Sequence, residues 1–165
     1  MATKKGKIIT IGILAAITLV SFVFWFIPQG SELSLVVSDY ENYLDGVKNI
    51  HSVLEQEIDG AFQDLRNGNI SPQEYKSMAQ TTSDQVTEQI SQLVTTKPSE
   101  QWQQSYINYM DALRKFNSQI RETIVYADTM NQETEGKLSE ILEKIEKLEK
   151  ESQNLVNQSD SNRPQ

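Results

Sequence analysis

The chain has 165 residues, room for one domain of ordinary size, with 23 acidic and 15 basic side chains and a net charge of −8. An acidic, glutamine-rich body lacks the clustered Lys and Arg that phosphate contacts require, which argues against nucleic acid as a partner. The absence of cysteine excludes disulfides, thiol catalysis, Cys-based zinc sites and a lipidated cysteine.

Charge divides at Pro28. Before it stand Lys4, Lys5 and Lys7 and no acid; the other 12 basic residues and all 23 acids follow, so the later segment carries −11. Between the lysines and Pro28 runs IITIGILAAITLVSFVFWFI, Ile8 to Ile27, with no charged residue. As a helix it spans about 30 Å, the hydrocarbon thickness of a bilayer. Trp25 sits near one end, where an indole favours the interface, and Pro28 and Gly30 break the helix beyond it. A secretory signal has a shorter apolar core and small residues before its cut. Here the run is long and ends in Phe24, Trp25, Phe26 and Ile27, which reads as a retained anchor. The lysines resist translocation, which places residues 1–7 in the cytoplasm, 8–27 in the membrane and 28–31 as a linker to an extracytoplasmic body.

The body reads as all-α. From Leu33, apolar residues step by three and four through Tyr40, Leu44, Val47, His51, Leu54, Ile58, Ala61 and Leu65. Asn67-Gly68-Asn69 ends this first helix, expected to stand roughly 50 Å off the membrane. Ser71-Pro72-Gln73-Glu74 starts a second, with Ser71 as cap and Pro72 in the first turn. Its face is Tyr75, Met78, Thr82, Val86, Ile90 and Leu93, its interior is rich in Thr and Ser, and Lys97-Pro98 stops it.

A third helix follows Ser99, with Trp102, Tyr106, Tyr109, Leu113, Phe116, Ile120, Ile124 and Ala127 on one face. The pattern loosens over TMNQETEG, Thr129 to Gly136, then resumes in KLSEILEKIEKLEKESQNLV. There Leu138, Ile141, Ile145, Leu148 and Leu155 repeat in heptad fashion, with Ser152 filling one slot. Glu140–Lys144, Glu143–Lys147 and Glu146–Lys150 are favourably spaced pairs. Short links predict an antiparallel three-helix bundle over 32–136, a coiled-coil extension over 137–156 and a disordered polar tail over 157–165. The extension either folds back on its own bundle or joins another chain; about two and a half heptads do not stand alone.

His51, the sole histidine, lies on the seam of the first helix. With Glu55 it offers two metal ligands and no third, so it reads as a hydrogen-bonded seam residue with some pH sensitivity. Trp102, Tyr106, Tyr109 and Phe116, with Tyr40 and Tyr43 opposite, read as core in preference to a ligand pocket. The acids Glu55, Glu57 and Asp59, like Glu133 and Glu135, lack calcium-loop spacing and read as solvated helix faces. Asn69-Ile70-Ser71 and Asn157-Gln158-Ser159 match the glycosylation pattern weakly.

No phosphate loop, nucleophile elbow or metal-binding helix motif is present, so the expectation is a non-enzyme with no catalytic, metal or cofactor residue. The chain reads as a single-pass structural or interaction subunit that joins a protein partner or its own copies through the coiled coil. The alternative is a ligand-binding or sensory ectodomain that signals through a membrane partner, since the predicted cytoplasmic segment is too short for an output domain.

Overall fold

Asp39 opens the first helix of the computed structural model: its carboxylate accepts from the Asn42 amide N–H at 3.0 Å, which satisfies one donor of the free first turn. The structure describes residues 39–130 and 135–164. The predicted membrane segment lies outside them, with Lys4, Lys5, Lys7, Ile8, Trp25 and Ile27, and so does the seam residue Leu33. Among the described residues there is no strand, and no helix is long and apolar enough to cross a membrane.

These residues form four helices: α1 (Tyr40–Arg66), α2 (Pro72–Thr95), α3 (Glu100–Thr129) and α4 (Glu135–Ser161). The α1–α2 turn follows the expected chemistry. Gly68 takes φ +70°, open to glycine at little cost. Its N–H donates to the Leu65 carbonyl at 3.0 Å and the Asn69 N–H to Asp64 at 2.8 Å, the paired bonds of a Schellman ending. Ser71 Oγ then accepts from the Glu74 N–H at 3.2 Å, with Pro72 in the first turn of α2. Ser99 sits at the N-cap of α3, and its side chain makes no capping bond.

Side-chain pairs give the helix directions. Ser83–Asn117 and Lys76–Asp128 set α2 antiparallel to α3. His51–Tyr109 and Phe62–Tyr126 set α1 parallel to α3. Ser105–Ser159 and Ser152–Ala112 set α4 antiparallel to α3. Helix α3 is the hub: it packs against all three others, and its backbone contact with α4 is the most extensive among the described helices. Its apolar side is matched by Leu44, Leu54 and Leu65 of α1, Tyr75, Ala79 and Val86 of α2, and Ile141 and Ile145 of α4 in one continuous core.

Two expectations are corrected here. The segment beyond Gly136 is no extension of a three-helix bundle. It folds back as a fourth helix along α3, with Ile141 and Ile145 buried and Leu138 and Leu142 packed on the core. The physical reason is that its stripe finds apolar cover within the chain, on the outer side of α3. The polar composition of 157–165 also misleads. Helix α4 runs through Ser161, Ser159 is 0 % exposed, and Arg163 reaches Asp45 on α1. Small polar residues fit there because their hydroxyls bond to backbone in place of water.

Candidate functional site

Two regions gather the polar chemistry of the bundle: a buried histidine in the α1–α3 core, and a cleft between α1 and α4.

Helix α1 carries His51 into the core, where it is buried against aromatic rings of α3. Its ring centroid lies 4.7 Å from that of Phe116 and 5.8 Å from that of Tyr109. His51 Nδ1 and the Tyr109 hydroxyl share a hydrogen bond at 2.8 Å, while Nε2 is buried without a partner. Burial, reinforced by the nearby Lys48 charge, pushes the imidazole down to about 4, so it is neutral at physiological pH. Burial likewise holds the Tyr109 phenol above its ordinary range. Glu55, the proposed second ligand, instead accepts from Gln153 of α4 at 3.1 Å. Among the described residues no group of three or more His, Cys, Asp or Glu side chains could hold a metal ion.

The remaining aromatics pack as core at the same end. Tyr43 stacks on Tyr106 with centroids 6.5 Å apart, and Trp102 meets Tyr106 edge-on at 6.3 Å. The Tyr106 hydroxyl donates to the Tyr40 carbonyl at 2.8 Å.

The second region comes from a spacing effect. Helices α1 and α4 run antiparallel, but their backbones stay apart and long polar side chains bridge them. Lys48 pairs with Asp160, Arg163 with Asp45, and Gln153 with Glu55. Beyond Glu55 the bridging stops and a cleft of about 260 Å³ opens. Asp59, Phe62, Gln63 and Arg66 form one wall, Leu142, Ile145, Glu146 and Glu149 the other, and Gln119 of α3 lies between. Phe62, Ile145 and Gln119 are buried; Asp59, Glu146 and Glu149 are exposed at the rim. Partial desolvation of the Asp59 carboxyl, with Glu55 and Glu149 nearby, pushes it up to about 6. Glu55 is raised by burial too, with Glu149 adding and the Gln153 bond opposing.

Of the stripe residues assigned to partner binding, Ile141 and Ile145 are buried, and Leu138, Leu148 and Leu155 are half-buried. Glu146 lies 3.9 Å from Lys150 as its spacing predicts, while Lys144 reaches across to Glu122 of α3 at 2.7 Å.

The cleft was invisible as a site because its acids were assigned to solvated faces. Glu133 lies outside the described residues; Asp59, by contrast, lines a wall. The available signal was register. Once Lys48 pairs with Asp160 and Glu55 with Gln153, the next turn sets Asp59 opposite Glu149, two like charges. No protein-family model, curated protein or solved structure matches the chain.

Proposed function

We propose that this protein is a membrane-tethered, extracytoplasmic four-helix module that works by binding, as a structural or interaction subunit without catalytic activity. The observation that carries the reading is the uncharged run Ile8–Ile27, led by Lys4, Lys5 and Lys7 and followed by a body of charge −11. The run matches bilayer thickness, and the asymmetry of basic residues favours a cytoplasmic N-terminus. The folded body supports a binding role in a specific way. Its heptad stripe is largely occupied by its own α3, so contacts with a partner or a second copy fall on the charged outer faces. Such faces govern encounter rate and partner choice more than raw affinity, and they act in a salt-dependent way.

The test is a topology experiment on the full chain. A C-terminal reporter that functions only outside the cytoplasm is expected to be active, and the chain is expected to stay in membranes after alkaline carbonate extraction. Mature material beginning downstream of Phe26, or a body shielded from protease added to wall-stripped cells, would overturn the reading. Concentration-dependent sedimentation of the detergent-solubilised chain then separates self-association from a foreign partner.

A further inference from the structure

We infer that one end of the bundle, where the starts of α1 and α3 meet the α2–α3 turn, docks on a lipid surface of neutral headgroups, with Tyr40, Tyr43 and Trp102 at the interface. This rests on the membrane-tethered reading above and deepens it by naming the part of the body that touches lipid. Four rings gather at this end. Tyr106 is buried at the centre; Tyr40 and Trp102 meet it edge-on at 6.1 and 6.3 Å, and Tyr43 stacks on it at 6.5 Å. The three outer rings are only half-buried. The Tyr40 hydroxyl donates to the Lys97 carbonyl at 3.3 Å, whereas the Trp102 indole N–H and the Tyr43 hydroxyl make no hydrogen bond among the described residues. Rings with an apolar body and an unpaired polar tip favour the boundary between lipid and water. At the same end, in the last turn of α2, Val94 is 57 % exposed, more than any other large hydrophobic residue described. The opposite end differs: its rings Phe62, Tyr75 and Tyr126 are all buried, and its turn exposes Asn67, Gly68 and Asn69.

The length of the chain before the bundle selects lipid as the occupant. Residues 28–38 join Ile27, the last residue of the uncharged run, to Asp39, the first described residue, and 11 residues reach at most about 40 Å. Helix α1, with 27 residues, is itself about 40 Å long. Lipid is therefore within reach of the Asp39 end, while seating the α1–α2 turn on it would need the connection drawn out along the whole of α1. Tethering at this range keeps the local concentration of lipid high, so a few interfacial side chains suffice where a free domain would need many. Charge selects the kind of lipid. Lys48 and Arg163 are engaged by Asp160 and Asp45, and the exposed acids Asp39, Glu41 and Glu100 outnumber exposed Lys97. An anionic surface needs a basic cluster, so this end suits zwitterionic headgroups and holds them through its rings.

The experiment uses the full chain with Trp25→Phe, which leaves Trp102 as the sole tryptophan, reconstituted in phosphatidylcholine vesicles. A nitroxide near the glycerol end of the lipid chains is expected to quench Trp102 emission about twofold, and one near the methyl end to quench it less, as for a ring at headgroup depth. Quenching should persist in high salt and should not need phosphatidylglycerol. Adding Val94→Glu, at an exposed position that does not endanger the fold, is expected to weaken it. A second reporter, Arg66→Trp with both native tryptophans replaced by Phe, sits on the exposed opposite end and should stay unquenched. Unquenched Trp102 in a chain that withstands carbonate washing overturns the docking and leaves the tethered reading standing; a chain stripped from the vesicles overturns both. Equal quenching of the two reporters, or quenching that requires anionic lipid, also overturns the inference.

Discussion

Ser105 of α3 and Ser159 of α4 each donate a hydroxyl to the other's backbone carbonyl, both at 2.8 Å. One heptad along, Ser152 donates to the Ala112 carbonyl at 3.0 Å opposite. Small residues seven positions apart on both helices let the two backbones approach, and the hydroxyls satisfy themselves on main chain where a larger residue would force the helices apart. Salt bridges from Lys115 to Glu151 and from Lys144 to Glu122, both 2.7 Å, flank the contact from outside. The serines, more than these exposed pairs, set the close approach of α3 and α4, because surface ion pairs contribute at most about 1 kcal/mol.

Replacing Ser159 by Leu is therefore expected to destabilise the bundle by about 1–3 kcal/mol through overpacking. The double change Ser105→Ala with Ser159→Ala removes both hydroxyls, restores no unpaired donor and should fall within about 1 kcal/mol of wild type. Urea unfolding followed by circular dichroism reads both. A Ser159→Leu variant as stable as wild type would mean that α3 and α4 are not in close contact there.

Gln89 gives a second stability prediction. It is 4 % exposed on α2, and neither its Oε1 nor its Nε2 has a hydrogen-bond partner. Its neighbours in sequence are better served: Thr81, Thr82 and Thr87 return their hydroxyls to carbonyls four residues back, and Asn117 links Ser83 to Thr87. Gln89→Met keeps the volume and removes the unpaired amide, so it is expected to stabilise by about 1–2 kcal/mol. A shift of the urea midpoint to lower concentration would show that a partner for the amide exists.

Much of this fold could be read from residue spacing. The end of α1 at Asn67-Gly68-Asn69, the Ser71–Pro72 start of α2 and the aromatic face of α3 all lie where local chemistry places them, because capping and periodicity are short-range properties. Partner choice is long-range, and there the spacing left two alternatives open, fold-back and a second chain. Leu138 and Ile141 announce a stripe that needs cover without saying which surface covers it, and Ser159 looks like tail until the groove beside Ser105 is known. The cleft was harder still. Asp59 on a single helix is one more surface acid, and it becomes a wall only when α4 brings Glu149 opposite.

His51 sets an acid limit on stability. Its folded value of about 4 lies below the ordinary value near 6.5, so the folded state holds fewer protons between them. The stability it contributes is complete above about pH 6.5 and is lost as pH falls toward 4, at most about 3 kcal/mol. Lys48 adds to the cost of charging it. The double variant His51→Leu with Tyr109→Phe removes the titrating ring and the hydroxyl it would orphan. Its stability should fall less steeply than wild type between pH 6.5 and 4, as measured by thermal melts across that range. Parallel curves would assign the acid sensitivity to carboxylates alone.

Asp59 acts with the opposite sign, and this separates it from His51 in the same melts. Its folded value of about 6 stands above the ordinary carboxylate range, so protonation favours the folded state. The penalty is absent below about pH 4 and grows as pH rises through 6. Since Asp59 is exposed at the rim, solvent screening reduces the penalty to about 1 kcal/mol at neutral pH. Asp59→Asn is accordingly expected to raise the melting temperature by a few degrees at pH 7.5 and to leave it unchanged at pH 4. A variant less stable than wild type at pH 7.5 would show that Asp59 already has a cationic partner within the chain.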